Sequence, residues 1–446
     1  MSELPREWLL KEIGEIGEIV SGGTPSTKNP DYWGEDVPWV TPIDLSGYNE
    51  KYIRMGRKGL TKLGLKNSSA RLMPKGSVLF SSRAPIGYVA IAQNDLATNQ
   101  GFKSVVPSAL INSVYLYFYF KSIKRMAESF ASGTTFKELS GARFSKLPIP
   151  VPPKNEQAII AQNIEGLFSD LDNAIENLKK AQEQLKVYRQ AVLKYAFEGK
   201  LSGNKSLSRE WIWKTIGETC ITGSGGTPSR SNDKYFAGNI PWVKSGELDF
   251  NIIYNTEEKI TQEALKNSSA KLVKNGTLLI ALYGATVGKM AFLGVDAATN
   301  QAVCFIETPE YLKNKFLYYF LILNRTKLLS QRIGGAQPNI SQTIIKNVSC
   351  PIPSKLEQSE IVKKIEVRFS VCDFLELTID ENLQKAEALR QSILKQAFEG
   401  ELTEKWRKEH KDLITGDNSA EALLRKIKSE KEALNNKPRG KNRGLG

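Results

Sequence analysis

The chain carries the same series of short motifs twice. Three of them recur almost unchanged: SGGTPS at residues 21–26 and 224–229, LKNSSA at 65–70 and 265–270, and AFEG at 196–199 and 397–400. The copies stay close to 200 residues apart. A unit of that length is too long for a solenoid repeat and long enough for a domain with its own core. The sequence therefore predicts two domains of one fold, which bind two similar ligands or two parts of one pseudo-symmetric ligand.

The strong positive charge narrows the class of partner. The chain has 62 Lys and Arg against 48 Asp and Glu, a net charge of +14 at pH 7. Positive charge concentrates phosphate groups and favours a polyanion partner, although solubility alone is the simpler explanation. The charge is spread over both repeats, which suits an extended duplex better than one anionic pocket. We find no apolar run of about 18 residues and no secretory signal, so we expect no membrane partner and a cytoplasmic location.

Residues for catalysis or metal binding are scarce. His410 is the one histidine and lies in a charged tail, which argues against a histidine-based triad or a histidine-liganded metal. The cysteines occur only in the second repeat, whereas a disulfide framework or zinc site should occur in both copies. We therefore predict no metal site and four plain buried thiols, at Cys220, Cys304, Cys350 and Cys372.

Two segments resemble catalytic loops, but each departs from its pattern. Residues 284–290 read GATVGKM, one residue short of a phosphate-binding loop and with Met290 where Ser or Thr should hold magnesium. Residues 29–32 read NPDY, with Asp31 where amino-methyltransferases have a second proline, and no glycine-rich cofactor loop follows a strand nearby. A turn is the better interpretation of the second segment. The sequence favours a binding protein without catalysis of its own.

Each repeat begins with a globular part of mixed α/β pattern. Short β-rich runs predict strands at 77–81, 88–92, 277–281 and 289–293, and aromatic-rich runs predict one helix per copy, at 113–129 and 311–331. Proline-rich segments close both parts, at 147–153 and 350–353. Because proline fits neither a central strand nor a helix interior, we expect these segments to be stiff exits.

A long helix is predicted after each exit, at 155–197 and 356–398. Both segments lack proline and keep an apolar residue every seven positions, which is typical of a coiled-coil seam. The first seam position holds Ile164, Leu171, Leu178, Leu185 and Val192 in one helix and Ile365, Cys372, Ile379, Ala386 and Ile393 in the other. The second position is assigned to Leu167, Ala174, Ala181, Tyr188 and Tyr195, and is interrupted in the other helix by Arg368, Asn382 and Gln396. Each helix either lies on a globular core or packs on the other helix; we prefer the second, with antiparallel packing, because both repeats have one.

The motifs, in this duplicated order, closely resemble the specificity (S) subunit of type I restriction-modification enzymes over nearly the whole chain. The resemblance lies in the GGTPS and PWV entry of each repeat, the GTTFKEL turn at 133–139, the IPVPP…EQ and PIP…EQ exits, and the AFEGKL and AFEGEL helix ends. Residues 334–340 read GGAQPNI instead of the first repeat's turn, a difference expected where two domains read different sequences. The implied fold is α+β, with two pseudo-symmetric mixed α/β target recognition domains separated by an antiparallel coiled coil of two long helices.

The resemblance also implies a role for each region. Residues 1–153 and 201–354 would be the target recognition domains for the first and second half-sites, 154–200 and 355–402 the conserved long helices that set the spacer, and 403–446 a basic tail with a short helix. The double-stranded DNA target would be bipartite and asymmetric. Two methylation (M) subunits would supply S-adenosylmethionine and adenine methylation, and two restriction (R) subunits ATP-driven cleavage with Mg²⁺. This chain would bind no cofactor and would not be an enzyme on its own.

Candidate DNA contacts follow from residue chemistry. Phosphates are contacted by Lys, Arg, Ser and Thr, and base edges are read by Arg, Asn, Gln, Ser or Thr. The candidates are Thr24, Ser26, Thr27, Lys28, Asn29, Ser82, Arg83, Lys103, Thr134, Thr135 and Lys137 in the first repeat, and Thr227, Ser229, Arg230, Asn232, Tyr283, Thr286, Lys289, Gln337 and Asn339 in the second. Residues shared by both copies are expected to hold the fold or phosphates, and the alternative for the paired glycines is a purely structural turn. If Arg83 reads a base, Arg83→Ala should alter first-half recognition by about 1–3 kcal/mol.

Three functions are open at this point. The chain is a non-catalytic DNA-recognition subunit (with a module of a methylation-only system as a variant), a self-contained methyltransferase or nuclease, or a coiled-coil scaffold without DNA affinity. The enzyme needs a cofactor loop or metal carboxylates that the sequence does not supply. The scaffold explains the helices but neither the duplicated α/β domains nor the charge. We therefore favour the DNA-recognition subunit.

Overall fold

The computed structural model describes residues 4–83, 85–133, 137–201, 211–331 and 339–435. The chain forms two compact units, the first from Met1–Asn177 with Asn382–Gly446 and the second from Leu178–Glu381. Each unit combines one mixed α/β domain with segments of two long helices. The prediction of two related α/β domains and a pair of long helices is confirmed.

The first α/β domain is built from short strands and helices and is followed by a long helix. In chain order these are β1 (Leu9–Glu12), α1 (Ile13–Ile16), β2 (Gly17–Ser21), β3 (Trp33–Val40), β4 (Tyr52–Ile53), β5 (Lys58–Leu60), α2 (Lys62–Lys66), β6 (Val78–Ser82), β7 (Ile86–Ala92), β8 (Ala97–Thr98), β9 (Lys103–Pro107), α3 (Ser113–Ser122), α4 (Lys124–Phe130), α5 (Gly141–Ser145), β10 (Pro148–Val151) and α6 (Lys154–Phe197).

The second repeat has the same order of elements, with one additional short strand, and the chain ends in two further helices. The elements are β11 (Ile212–Thr215), α7 (Ile216–Thr219), β12 (Ile221–Ser224), β13 (Ile240–Val243), β14 (Asn251–Ile253), β15 (Glu258–Ile260), α8 (Gln262–Lys266), β16 (Leu272–Val273), β17 (Leu278–Ala281), β18 (Met290–Leu293), β19 (Ala297–Thr299), β20 (Val303–Glu307), α9 (Asn314–Leu323), α10 (Arg325–Ser330), α11 (Gln342–Lys346), β21 (Ser349–Ile352), α12 (Lys355–Phe398), α13 (Glu404–Glu409) and α14 (Ala420–Asn435).

The main sheet has one topology in both domains. Among the described residues, five strands lie in the order β2-β9-β6-β7-β4 in the first domain and β12-β20-β17-β18-β14 in the second. The last pair of each sheet is parallel and the others are antiparallel. Strand β6 is buried along its whole length, because one side packs on the aromatic helix α3 and the other on a smaller core that includes Leu79 and Phe102. The four predicted strands are present, with boundaries that differ by one or two residues.

Two local predictions need correction. The predicted helix at 113–129 is broken at Ile123 into α3 and α4, and that at 311–331 is broken at Asn324 into α9 and α10. The Asn324 amide donates to the carbonyl of Phe320 at 2.9 Å and competes with the helical backbone bonds there. The proline-rich exits are themselves strands, since β10 pairs with β1 and β21 with β11 in two-stranded ribbons. A ribbon leaves one side of each strand unpaired, so a missing proline N–H is tolerated.

Helices α6 and α12 pack antiparallel on each other within each unit. In the first unit Arg390 binds Asp172, and Leu171 shares a small core with Ala386 and Ile393. In the second unit the Gln182 amide donates to Asp380 at 3.2 Å, and Arg189 Nη2 donates to Asp373 at 2.6 Å. The predicted antiparallel pair is therefore present in both units.

The second seam position is not the predicted one. The first position is buried at Ile164, Leu171 and Val192 and at all five residues of α12, and half-buried at Leu178 and Leu185. Leu167, Tyr188 and Tyr195 are exposed, so assigning them to the seam is wrong. The residues that complete the seam follow the first position by four rather than three, at Phe168, Ile175, Gln182, Arg189 and Ala196 and at Phe369, Glu376, Leu383, Arg390 and Ala397. Both spacings keep a residue on one side of a helix, and the partner helix decides which flank is covered.

The duplicated AFEG motif ends both long helices for a structural reason. Gly199 and Gly400 have φ values of 72° and 84°, the left-handed conformation that glycine supplies after a helix. In the second unit Phe197 packs on Phe316 and Phe320 of α9, and in the first unit Phe398 packs on two tyrosines of α3. Each α/β domain thus packs on the end of the long helix that belongs to the other repeat.

The C-terminal region packs into the first unit. Leu423 and Ile427 of α14 are buried in the same core as α3. The ammonium of Lys431 donates to the carbonyls of Gly14, Glu15 and Gly17 at 2.7, 2.9 and 3.2 Å. The predicted basic tail therefore contains two helices, of which α14 completes the first core, and the charge of Lys431 is bonded within the protein.

Candidate nucleic-acid interface

The duplicated GGTPS turns are held by close backbone packing. The indole Nε1 of Trp39 donates to the carbonyl of Gly23 at 3.0 Å, and Trp242 donates to Gly226 at the same distance. A Cβ atom at Gly23 would lie 2.3 Å from the amide nitrogen of Ala70. No residue larger than glycine fits such an approach. The close packing supports the structural interpretation of these glycines.

The side chains shared by both copies join two turns of the domain. Thr24 donates to the side-chain oxygen of Gln100, and Thr227 does the same to Gln301. The Asn29 side chain accepts from the amide of Asp31 at 3.1 Å and caps a short helical turn. These contacts hold the fold, in agreement with the expectation for shared residues. Three further candidates of this turn lie exposed on the surface: Ser26, Thr27 and Lys28.

In the second copy of this turn, the charge of Arg230 is neutralised by a carboxylate of the same domain. Both terminal nitrogens of Arg230 donate to the carboxylate of Glu258, at 2.6 and 3.2 Å, and the guanidinium stacks on Phe236 at 4.3 Å. The hydrogen bond from Arg230 lowers the pKa of Glu258, so the pair is charged near neutral pH. Ser229 bonds to Ser231 at 2.7 Å, and Asn232 is half-buried. A phosphate at this turn has to compete with Glu258 for Arg230.

Two candidates between the strands are bonded within the domain. Ser82 is fully buried and its hydroxyl donates to the carbonyl of Gly101 at 3.1 Å, which argues against a direct DNA contact. Lys103 is 7% exposed and its ammonium donates to the carbonyl of Gln100 at 3.2 Å. Burial lowers the pKa of Lys103, which fits a supporting role more than a phosphate contact.

Two candidates of the second domain are bound to neighbouring segments. The hydroxyl of Thr286 donates to the carbonyl of Ser245 at 2.7 Å, and the ammonium of Lys289 donates to Asp249 at 2.7 Å. Their DNA-binding roles stay predictions. Thr134, Thr135 and Gln337 lie outside the described residues.

One pair of residues occupies the same backbone position in both domains. The amide of Leu139 donates to the carbonyl of Ser82 at 2.9 Å, which sets Arg83 opposite Glu138. The amide of Ile340 donates to the carbonyl of Leu282 at 2.7 Å, which sets Tyr283 opposite Asn339. We call Arg83–Glu138 and Tyr283–Asn339 the strand-end pairs. They show that two candidates distant in sequence, Tyr283 and Asn339, lie together.

The two strand-end pairs differ in charge. Arg83 and Glu138 are partly exposed, with Nη1 and Oε2 3.5 Å apart, and Lys103 reaches the other carboxylate oxygen at 3.9 Å. In the second domain Asn339 is exposed and Tyr283 is half-buried, so this position is uncharged. Lys137 lies exposed beside the first pair. Glu138 was not among the candidates predicted from the sequence, because acidic side chains were not considered as DNA contacts.

Clustered metal ligands and membrane-spanning helices are not found among the described residues. No cluster of three or more His, Cys, Asp or Glu is placed there to hold a metal ion. Within the same residues, no helix is both long and apolar enough to cross a membrane. His410 stacks on Trp406 with ring centroids 5.0 Å apart. All four cysteines are free and buried, which confirms the prediction of plain buried thiols.

Comparison with known proteins gives one family for both repeats. The family model described as type I restriction modification DNA specificity domain matches residues 5–187 and 208–385. The chain is 34% identical over 372 residues to the type I restriction enzyme MjaIX specificity subunit of Methanocaldococcus jannaschii, covering 79% of this chain and 84% of that protein. It is 27% identical to the EcoKI specificity subunit of Escherichia coli strain K12, covering 98% of both chains.

Solved structures share the fold. A chain from a study of complex assembly and conformational transition of the type I R-M system has a TM-score of 0.70 at 20% identity, covering 90% of this chain and all of that one. The HsdS subunit from Thermoanaerobacter tengcongensis has a TM-score of 0.61 at 19% identity, covering 90% and 98%.

Proposed function

Because the chain belongs to the family of type I restriction-modification DNA specificity subunits, we propose that it reads a bipartite, asymmetric target in double-stranded DNA. Each α/β domain reads one half of this target. Specificity subunits of this class are non-catalytic, so the chain directs the chemistry of other subunits to a sequence.

One observation supports the proposal that the two domains recognise two different half-sites. The two domains share sheet topology, glycine turns and the backbone bond that fixes the strand-end pair. On that shared scaffold the side chains of the pair differ, with an ion pair in one domain and two neutral polar groups in the other. Because sequence is read by side chains at base edges, two unlike sets on one scaffold are suited to two unlike half-sites.

The long helices are proposed to set the spacer between the half-sites. Each has 44 residues without interruption, about 66 Å at the rise of an α-helix. Apolar seam residues and the ion pairs of Arg189 and Arg390 support a fixed register between the helices. A fixed register gives a fixed spacer, whereas a flexible linker would tolerate several.

The proposed partners follow from the class of protein. We propose that two methylation subunits and two restriction subunits bind this chain, one of each for each repeat. S-adenosylmethionine, ATP and Mg²⁺ would be bound by those subunits. Since the substrate is cellular DNA, the proposed location is the cytoplasm.

Salt-dependent DNA binding tests this proposal. The complex of the chain with its methylation subunits is titrated with duplex DNA at several salt concentrations. We expect affinity to fall steeply as salt rises, because phosphate contacts release counterions, and to stay higher for duplexes that carry the target. A complex that assembles but does not bind duplex DNA would support the coiled-coil scaffold instead.

A further inference from the structure

The strand-end pairs place specific base-reading chemistry at corresponding points of the two domains. In each domain one member follows the strand β6 or its counterpart β17, and the other precedes the short helix α5 or α11. The backbone bonds that join them are 2.9 and 2.7 Å long and link equivalent residues. A side chain projects from the same frame in both cases, so a difference between the domains arises from the side chains themselves.

The first pair suits a G·C base pair. Arginine donates two parallel hydrogen bonds to the O6 and N7 atoms of guanine, and a glutamate accepts from the N4 amino group of cytosine. Arg83 and Glu138 are 36% and 43% exposed and supply these donors and acceptors side by side. The contact between their charged groups is long, at 3.5 Å, so the guanidinium keeps N–H groups available for a base.

The second pair suits an A·T base pair. An asparagine amide both donates to and accepts from adenine, at N7 and N6. Asn339 is exposed and carries that group, and the partly buried phenol of Tyr283 lies beside it. Neither Tyr283 nor Asn339 carries a charge that would favour the guanine edge.

We propose that the strand-end pairs are specificity-determining residues. Arg83–Glu138 reads a G·C base pair at one position of the first half-site, and Tyr283–Asn339 reads an A·T base pair at the corresponding position of the second. This inference rests on the proposed function. It assigns Glu138 a direct role that goes beyond neutralising Lys103.

The test uses one variant that keeps the charge and one that keeps the shape but adds a negative charge, and both change the hydrogen-bond pattern. Arg83→Lys keeps the positive charge for a phosphate but loses the planar fork that reads guanine. Asn339→Asp keeps the shape but loses the amide donor. Arg71→Lys is the matched control, because Arg71 forms an exposed pair with Glu18 at 2.8 Å in the same domain. Each variant is expressed with its methylation subunits, its melting temperature is compared with that of the parent complex, and the DNA it methylates is sequenced for modified bases.

Each variant is expected to alter recognition at one base pair of one half-site and to leave the other half-site unchanged. Arg83→Lys should lower methylation of the parent target roughly 5- to 150-fold, the range that one bidentate base contact supplies, and relax one G·C position in one half-site only. Asn339→Asp should relax one A·T position in the other half-site, and Arg71→Lys should change neither. Because Asn339 is exposed, its variant keeps the test valid if Arg83→Lys does not fold.

Two results would overturn the inference. The first is that both variants methylate the parent motif as the parent complex does. The second is an equal loss of methylation on every DNA sequence, which would indicate a phosphate contact or a structural role. Either of these leaves the parent's bipartite motif intact and the proposed function standing. A parent complex that methylates no bipartite motif would instead overturn the proposed function, and this inference with it.

Discussion

Arg407 donates a 2.6 Å hydrogen bond from Nη1 to Oε1 of Glu156, a fully buried carboxylate 251 positions earlier in the chain. Trp8 and Thr403 donate to the same carboxylate at 2.9 and 2.6 Å. The corresponding carboxylate of the second repeat, Glu357, is also buried, but its Oε1 has no partner among the described residues, and neither has Nε1 of Trp211. The C-terminal region therefore completes one unit with a contact that has no counterpart among the described residues of the other unit.

Glu156→Gln is expected to destabilise the protein by about 3–5 kcal/mol. The change leaves the guanidinium of Arg407, which is 10% exposed, buried without its charge partner. Urea denaturation of the full chain measures the loss. The matched control is Glu357→Gln, which removes no ion pair found in the described residues and should cost less than about 1 kcal/mol. Equal losses at the two positions would show that the Arg407 contact contributes little.

Phe168→Ala and Leu167→Ala should differ although the residues are adjacent. Phe168 lies in the seam. The centroid of its ring is 5.7 Å from that of Phe118 and 5.0 Å from the guanidinium carbon of Arg390, whereas Leu167 is 39% exposed. We expect Phe168→Ala to cost about 2–4 kcal/mol of unfolding free energy and Leu167→Ala about 0.5 or less. Thermal or urea unfolding of both variants measures the two losses of stability. A larger effect at Leu167 would restore the seam that was first assigned from the sequence.

The buried thiols should be chemically inert in the folded protein. Burial raises the pKa of Cys220 and of Cys304 to about 12, so both stay protonated, and unreactive as nucleophiles, at about pH 8. Iodoacetamide labelling read by mass spectrometry should modify neither residue in the native chain and all four cysteines after unfolding in guanidinium chloride. Rapid labelling of Cys220 or Cys304 under native conditions would contradict the described packing.

Removing one heptad from each long helix should shorten the spacer. Deletions of seven residues centred on Gln182 and on Asp380, which bond at 3.2 Å, keep the seam in phase and remove about 10 Å of helix. This length corresponds to about three base pairs of DNA, and the two half-sites should stay the same. Sequencing of methylated bases reports both properties. Altered half-sites would mean that the helices take part in reading the sequence.

The architecture was largely accessible from the sequence because its signals are local and occur twice. The strands near Val78 and Met290, the bounds of α6 and α12 and the first seam position follow from periodicity and from proline and glycine boundaries. The second seam position was assigned wrongly because Gln182 and Arg189, which occupy the true position in α6, are polar. Their long side chains satisfy their charges and amides on the partner helix, a contact that periodicity does not contain.

The candidate site was less accessible because it depends on pairing between distant segments. Residue type alone could not separate Ser82, which is buried, from its neighbour Arg83, which is partly exposed. Glu138 became visible only through the backbone bond that sets it opposite Arg83. The role of the C-terminal region was hidden for the same reason, since Lys431 and Arg407 bind groups hundreds of positions away.

The central claim, two unlike domains reading two separated half-sites, is tested most directly by sequencing modified bases in host DNA with and without this gene. The account predicts that deletion removes methylation from one asymmetric motif, made of two short specific parts with an unspecified spacer of constant length. Loss of methylation from a single uninterrupted motif, or no loss from any motif, would contradict it.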